Sequence, residues 1–259
     1  LINAYQTDAD GLPMFDYQSK PDYGTVKFID ADTYTLENVS GNVDPRLDFV
    51  VGRPTITYKT YTERPCGLWV RNSDTYGYNN CKRFWLSPES EDANHGWPWG
   101  ASALNWQIIR YADLLLYKAE ALIELGGANL EAARDLINRV RTRAQNSACV
   151  KDFYDPTKSA ANYKIGLYPA EGWTQDYARK ALRTEMRLEK AMEGERFFDL
   201  VRWGIVKETM NNYFAAEKGT RLYYTNASFE TGEEYFPVPV AQYNFSGGIY
   251  VQNPGYPKF

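Results

Sequence analysis

Two amphipathic segments separated by a pair of glycines constrain the fold of this chain more than any other sequence feature. The first lies within residues 101–126. Its apolar residues recur at helical spacing on one stripe with further apolar residues beside it: Leu104, Ile108, Tyr111, Leu115 and Leu122, flanked by Ala112, Leu116, Ala119 and Ile123. Gly126 and Gly127 end this helix, and Asn129 is the expected N-cap of a second one. The pattern predicts a helical hairpin of the tetratricopeptide-like kind, which needs further helices to bury its faces.

The second helix of the hairpin is itself amphipathic. Four apolar residues recur along it, Leu130, Ala133, Ile137 and Val140. Its arginines are expected to be mostly solvated: Arg134, Arg139, Arg141 and Arg143. Thr174 is the predicted cap of a third helix that runs to about Met192, and helical segments are also expected at 195–204 and 205–219.

These patterns predict a mainly α protein with three parts. Residues 1–100 form a loop-rich region with short strands that packs on tetratricopeptide-like helix pairs and is the candidate ligand-facing part. Residues 101–219 form the helical core, and residues 220–259 form an extended tail that packs on the helices.

The composition narrows the range of functions. The 259 residues include 29 Lys and Arg against 33 Asp and Glu, and a net charge of −4 disfavours nucleic-acid binding. His95 is the single histidine, so a multi-histidine zinc site is not expected, and the three cysteines form no C-x-x-C pair. Cys66 and Cys81 are equally compatible with a disulfide and with free thiols. No cofactor is expected, and the sequence leaves open whether loop aspartates hold Ca²⁺: Asp8, Asp10, Asp30 and Asp32.

Charged and apolar residues alternate densely between positions 185 and 204. Glu185, Glu189 and Glu193 follow one another at i+4 steps on one helix face. Arginines at i+3 spacing follow two of the acids, which gives the pairs Glu193 with Arg196 and Asp199 with Arg202. Two of these carboxylates could form a glycosidase acid–base pair, but carboxylates paired with arginine stay ionised and make poor general acids. The pattern therefore favours a structural ion-pair network.

Aromatic and polar side chains are interleaved between residues 66 and 100, where four of the seven tryptophans lie. Flat aromatic rings match the apolar face of a sugar ring, and amide or guanidinium groups match its hydroxyls. The candidate ligand-binding residues are Trp69, Arg71, Tyr76, Tyr78, Asn79, Asn80, His95, Trp97 and Trp99. Trp97 and Trp99 are predicted to form an exposed platform, whereas Phe84 and Trp85 are expected in the core. The alternative is that these rings only anchor the loops to the helices.

Four motifs in order resemble the C-terminal half of the SusD/RagB family of Bacteroidetes outer-membrane lipoproteins. They are IRYADLLLYKAEA at 109–121, LINRVRTRA at 136–144, EGERFFDLVRWG at 193–204, and FPVP at 236–239 followed by QNPGY at 252–256. Residues 44–47 and 77–85 fit the family as well. Glu185 is followed by Met186 where the family usually has arginine, which weakens one expected ion pair but not the resemblance.

The resemblance implies a surface-exposed, non-catalytic protein that captures oligosaccharides for a TonB-dependent, SusC-like transporter. It also implies an all-α scaffold and a lipid anchor on an N-terminal segment that this chain lacks, so that the chain is expected to be one half of a larger protein whose other half shares the site. Three alternatives remain: a RagB-like protein that takes up peptides, an α-helical glycoside hydrolase, and a purely structural helical scaffold.

Overall fold

The computed structural model describes residues 1–28, 34–59, 70, 72–73, 77, 79–81, 96–97, 103, 105 and 107–259. Seven α-helices lie within these residues: α1 Leu47–Val50, α2 Tyr111–Leu125, α3 Asn129–Gln145, α4 Gln175–Glu189, α5 Arg196–Arg202, α6 Val206–Glu217 and α7 Val240–Phe245. Single 3₁₀ turns occupy Ile2–Tyr5, Tyr17–Ser19 and Leu222–Tyr224. The mainly α class predicted from the sequence is confirmed.

Short antiparallel strand pairs accompany the helices in the N-terminal part of the described chain. The six strands are β1 Gln6–Thr7, β2 Thr25–Phe28, β3 Tyr34–Glu37, β4 Asn42–Val43, β5 Val51–Gly52 and β6 Asn80–Cys81. They form three two-stranded sheets, β1 with β4, β2 with β3, and β5 with β6. In the last sheet Val51 pairs with Cys81 and Gly52 with Asn80. Sheets this small are not stable alone, so the helices must support them.

Helix α2 begins later than the sequence predicts, because the described residues 107–110 are not helical. The carboxylate of Asp113 accepts a hydrogen bond from the Arg110 amide at 2.6 Å and thereby fixes the first turn at Tyr111. The buried face consists of Leu115, Leu116, Ala119 and Ile123. The predicted stripe is therefore wrong at its start: Ile108 is 80% exposed and Tyr111 is 60% exposed. Leu104 lies outside the described residues.

The turn between α2 and α3 depends on glycine. Gly126 adopts a φ of +67°, which residues with a Cβ rarely adopt, and its amide donates to the carbonyls of Leu122 and Ile123. Asn129 is the first residue of α3 and not its N-cap, and its Nδ2 donates to the Gly126 carbonyl at 3.0 Å. The short connection makes α2 and α3 antiparallel neighbours, as the glycine pair predicts.

Helix α4 completes a three-helix core with α2 and α3, each of which it contacts. Thr174 is its N-cap, as predicted, and accepts a hydrogen bond from the Tyr177 amide at 3.3 Å. The helix ends at Glu189 rather than near Met192, which adopts a φ of +65° that no α-helix contains. Its buried face mixes apolar residues with two carboxylates: Ala178, Ala181, Leu182, Glu185, Met186, Leu188 and Glu189.

The chain divides into two compact units, Leu1–Glu193 and Gly194–Phe259. In the first unit the N-terminal loops pack on the end of α4, since Tyr5, Val43 and Leu47 share a buried cluster with Leu188. The Tyr5 hydroxyl donates to the Leu188 carbonyl at 3.0 Å. The two units are defined by contacts between residues, whereas the three parts predicted from the sequence were defined by sequence composition and helical pattern.

The second unit has its own small core. Leu200 of α5, Val206 of α6 and Phe229 are buried together. The segment after residue 220 was predicted to be extended. It instead contains a 3₁₀ turn and helix α7. Pro239 precedes this helix with φ of −64°, a value that suits a helix start.

Candidate functional site

The structure describes three of the nine candidate ligand-binding residues. Trp97 and Asn79 are described with their side chains, and Asn80 by its backbone in β6. Six others lie outside the described residues: Trp69, Arg71, Tyr76, Tyr78, His95 and Trp99. The same holds for the expected core residues Phe84 and Trp85. The assembly of these side chains into one binding surface therefore stays a prediction.

The two described side chains have contrasting environments. Trp97 is 85% exposed, so its indole faces open solvent. Asn79 is half-buried, and its Oδ1 atom is inaccessible to solvent and accepts no hydrogen bond from the described residues. An indole in this position offers a flat apolar face to a ligand.

Strands β5 and β6 attach residues 79–81 to the first unit. A buried ion pair brackets strand β5: Arg53 Nε and Nη2, after the strand, donate to the two carboxylate oxygens of Asp48, before it, at 2.7 and 2.8 Å. The Tyr163 hydroxyl also donates to Asp48, at 2.5 Å. Burial, and then the negative charge of Asp48, raise the pKa of Tyr163 far above its ordinary value. Asn80 thus lies in a strand whose partner, β5, is bracketed by this ion pair.

Arg110 attaches the chain to the helical core immediately before α2. Its Nη1 donates to Glu189 Oε1 at 3.1 Å, and its Nε donates to Glu193 Oε2 at 3.0 Å. Its Nη2 donates to the Glu189 carbonyl at 3.3 Å. The guanidinium therefore covers the C-terminal end of α4, where a cation is also favoured by the helix dipole.

A buried ion-pair network lies behind this attachment. Glu185 accepts hydrogen bonds from Arg46 at 2.6 Å and from Arg141 at 2.9 Å. Glu189 accepts from Arg46 at 3.0 Å and from Arg143 at 2.5 Å, in addition to Arg110. The network joins three parts of the first unit: the segment before α1, helix α3 and helix α4.

The network also holds Asp44 ionised. Burial alone would raise the pKa of this carboxyl group, but the Arg46 guanidinium, 2.6 Å from Asp44 Oδ2, outweighs it and lowers the pKa below the ordinary range. The pKa of Glu189 is lowered in the same way, by Arg46 and Arg143 against the effect of burial. A general acid of a glycosidase must be protonated near neutral pH, and these groups are not suited to that role.

The prediction that Arg141 is solvated is wrong, because its side chain is completely buried. Its Nε donates to the Gly166 carbonyl at 2.6 Å, and its Nη2 donates to the Gly11 carbonyl at 2.9 Å. The guanidinium lies 4.8 Å from the centre of the Tyr168 ring. Amphipathic periodicity places Arg141 on the face of Ile137 and Ala144, and this was the available signal for its burial.

The partners of Glu185 and Glu189 come from distant parts of the chain. Helical spacing predicts partners three or four positions away, whereas Arg46 and Arg110 lie 139 and 79 positions away from Glu185 and Glu189. Both arginines belong to motifs that were singled out, DPRL at 44–47 and RYAD at 110–113. No local rule could assign their partners.

The second unit contains the remaining charged residues of the predicted network. Arg202 Nε donates to the Asp199 carboxylate at 3.0 Å, which is the expected i+3 pair. Arg196 lies 5.7 Å from the centre of the Trp203 ring, and Arg202 lies 4.9 Å from it. Glu193, the expected partner of Arg196, bonds to Arg110 in the first unit.

An apolar groove of about 460 Å³ lies in the second unit. Its lining is formed by Phe236, Pro237, Val238, Pro239, Gln242, Tyr250 and Val251. The Gln252 amide bonds to both the amide and the carbonyl of Val238, and the Asn253 amide bonds to the Phe236 carbonyl. These amides are therefore engaged within the unit and are not directed at a ligand.

Neither a metal site nor a membrane span is found in the described part of the chain. Its residues contain no group of three or more potential metal ligands among His, Cys, Asp and Glu. Asp8 accepts hydrogen bonds from the amides of Asp10 and Leu12, while Asp30 and Asp32 lie outside the described residues. Cys149 is a free thiol, and Cys66 also lies outside them. None of the described helices is long and apolar enough to cross a bilayer.

Comparison with known proteins identifies relatives over most of the chain. The model of the SusD family matches residues 1–256. SusD-like protein P2 of Formosa agariphila is 27% identical over 156 residues, which make up 60% of this chain and 26% of that protein.

Two solved structures share the fold. A SusD homolog from Bacteroides thetaiotaomicron superposes with a TM-score of 0.58 at 24% identity, over 82% of this chain and 41% of its own. A SusD superfamily protein from Bacteroides vulgatus superposes with a TM-score of 0.51 at 23% identity, over 79% of this chain and 38% of its own. The chain thus spans about a quarter of the curated relative and about two fifths of the solved ones.

Proposed function

Because this chain belongs to the SusD family, we propose that it forms part of a non-catalytic site that binds oligosaccharides at the bacterial cell surface. Proteins of this family are generally nutrient-binding proteins without catalytic activity and are typically associated with the outer membrane. The observation that supports oligosaccharides as the ligand is the exposed indole of Trp97, which lies in an aromatic and polar segment. An indole face in solvent can stack on the C–H face of a sugar ring.

The buried network supports binding rather than hydrolysis. Glu189 is held ionised by Arg46 and Arg143, so it is not available as a proton donor near neutral pH. Its hydrogen bonds are already made to arginines, which leaves it a structural role in fixing the helices. We therefore propose that the aromatic segment at 66–100 binds the oligosaccharide and that the helices support it.

We also propose that the bound oligosaccharide is passed to a partner protein in the outer membrane. A SusC-like TonB-dependent transporter is the partner that would receive the oligosaccharide, and a lipid on an N-terminal segment would hold the protein at the outer membrane. Since the chain spans about two fifths of the solved relatives, we propose that the rest of the same protein contributes to the site.

Replacement of the exposed rings tests this function. Each stacked ring adds about 1 kcal/mol, so Trp97→Ala should weaken oligosaccharide binding by about fivefold, and Trp97→Ala with Trp99→Ala should abolish retention. Calorimetry and affinity electrophoresis against a glycan panel measure the binding, and the thermal midpoint should barely move. Tyr154→Ala, which removes an exposed ring outside the candidate segment, is the control.

The outcomes separate the alternatives. Binding of peptides but not glycans, in a peptide mixture screened beside the glycan panel, would favour a RagB-like peptide-uptake protein. Release of reducing sugar that is lost in Glu189→Gln while the variant keeps the wild-type thermal midpoint would establish a glycoside hydrolase. A large fall in the thermal midpoint of the double tryptophan variant would show that the rings belong to the core and would overturn the proposal.

A further inference from the structure

Helix α2 carries an outer stripe in addition to the buried face that contacts α3 and α4. Five exposed residues follow one another along it at alternating steps of three and four, and four of them are apolar or aromatic: Tyr111, Leu114, Lys118, Ala121 and Leu125. Tyr111 is 60% exposed, Leu114 55% and Leu125 73%. This spacing is that of a coiled-coil seam, along which one helix packs against another. The outer stripe therefore has the form of a surface that receives a helix.

Polar contacts border the outer stripe on both sides. Towards α3, the guanidinium of Arg139 lies 5.3 Å from the centre of the Tyr111 ring. Towards α4, Arg179 Nη2 donates to Glu124 Oε2 at 2.8 Å. An apolar strip with a polar border is the usual arrangement of a protein interface.

Lys118 argues against a second copy of this chain as the partner. It is exposed and occupies the middle position of the outer stripe. When two identical helices pack about a two-fold axis, the middle of one meets the middle of the other, so two Lys118 ammonium groups would lie together. Like charges disfavour such a contact, whereas a carboxylate opposite Lys118 favours it. The stripe thus fits a different helix, with apolar residues at the same spacing and an acidic residue facing Lys118.

The solved relatives indicate where such a helix can come from. The chain covers 41% of the Bacteroides thetaiotaomicron homolog and 38% of the Bacteroides vulgatus protein, so more than half of each has no counterpart in it. Within this chain, residues 1–100 are predicted to form loops and short strands rather than a long helix. A tetratricopeptide-like hairpin needs further helices to bury its faces, and α4 contacts α2 without covering the outer stripe.

We propose that the outer stripe of α2 is the docking surface for an amphipathic helix from the part of the same protein that lies outside these 259 residues. Docking would remove Leu114 and Leu125 from water, which is the main source of stability in such a contact. Lys118 would fix the register of the docked helix, because a carboxylate on that helix faces it in one alignment only. The inference concerns the assembly of the protein and does not depend on the ligand.

Photo-crosslinking of the protein expressed from its complete gene, called here the full-length protein, tests the docking directly. The photoreactive residue p-benzoylphenylalanine in place of Tyr111 should crosslink to a peptide outside residues 1–259, as identified by mass spectrometry. Tyr154 is the matched control, because its ring is 68% exposed but belongs to no helix, and the crosslink should be lost when the probe is placed there. If the Tyr111 variant does not fold, the probe is placed at Leu125, at the other end of the stripe.

Leucine substitutions in α2 provide a second test. In the 259-residue chain, Leu114→Ala should barely shift the thermal midpoint, because the side chain is exposed there. In the full-length protein it should lower the midpoint about as much as Leu116→Ala does, because both leucines would then be buried. Leu116→Ala should lower the midpoint in both proteins.

Several results would overturn the inference. They are a crosslink from position 111 to a second copy, to another protein or to residues 1–259, equal crosslinking from position 154, and no crosslink at all. A Leu114→Ala variant that behaves alike in the two proteins would also overturn it, as would a complete gene that encodes no further residues. Neither test uses a ligand, so a failure of the proposed function would not decide them.

Discussion

Glu185 illustrates how single residues stabilise this scaffold. It is completely buried, yet it lies within hydrogen-bond distance of Arg46 and Arg141, both of which are also buried. Burying one charge costs several kcal/mol, and only excellent geometry with further hydrogen bonds offsets that cost. Arg141 makes such further hydrogen bonds, because its Nε and Nη2 each donate to a backbone carbonyl. The arrangement is stable only while every member of it is present.

Glu185→Gln should therefore destabilise the protein strongly. The substitution leaves the buried Arg141 guanidinium without a carboxylate, and breaking a buried pair in this way costs about 3–5 kcal/mol. The free energy of unfolding from urea denaturation measures the loss. Glu124→Gln is the control, since Glu124 pairs with Arg179 at the surface, where removal costs about 1 kcal/mol or less. Equal losses in the two variants would show that burial of Glu185 is not what makes its pair important.

At the scale of elements, α2 has one buried and one exposed apolar face. Leu116 is completely buried among the helices of the core, whereas its neighbour Leu114 is 55% exposed. Both are leucines in the same helix, so helix propensity cannot distinguish them. Any difference between their variants must come from packing.

Leu116→Ala should lower the free energy of unfolding by about 2–5 kcal/mol, the usual cost of a cavity in a core. Leu114→Ala should change it by about 0.5 kcal/mol or less, since exposed positions contribute little packing. Thermal or urea unfolding of the two variants makes the comparison. A larger loss for Leu114→Ala than for Leu116→Ala would contradict the assignment of Leu116 to the buried face.

Local patterns predicted those elements whose signals are themselves local. The glycine pair separates α2 from α3, and Thr174 caps α4, because turns and caps depend on residues a few positions apart. The predicted start of α2 was too early because apolar spacing continues before Arg110, whereas the first turn is fixed by the hydrogen bond from the Arg110 amide to Asp113. Arg141 was misplaced for a related reason, since its burial depends on carbonyls of loops that no helical pattern describes.

In the candidate site, too, some features are visible in the local sequence and others depend on distant residues. The aromatic and polar composition of residues 66–100 is visible in the sequence, and the exposure of Trp97 agrees with the platform expected there. The contact of Arg110 with Glu189, on the C-terminal side of this segment, joins residues 79 positions apart. Composition can therefore suggest which residues contact a ligand, but not what holds them in place.

For the whole molecule, the buried charges and buried tyrosines set opposite limits on the range of pH in which it is stable. Asp44 and Glu189 have pKa values below their ordinary 3.8 and 4.5, so their contribution is fully present above those values. It is lost as the pH falls through the lower folded-state values. Tyr163 and Tyr168 have pKa values raised above the ordinary 10.0, chiefly by burial, so stability falls as the pH rises beyond about 10.

The free energy of unfolding, measured by urea denaturation from pH 3 to pH 11, should therefore be level near neutrality and decline below about 4.5 and above about 10. Tyr163→Phe should weaken the alkaline decline while leaving the acid one in place, because it removes a titrating hydroxyl that bonds to Asp48. A stability that stays constant from pH 7 down to pH 3 would contradict the network, since its carboxylates could then be protonated at no cost. Such a result would remove the physical basis for assigning α4 the role of a rigid support.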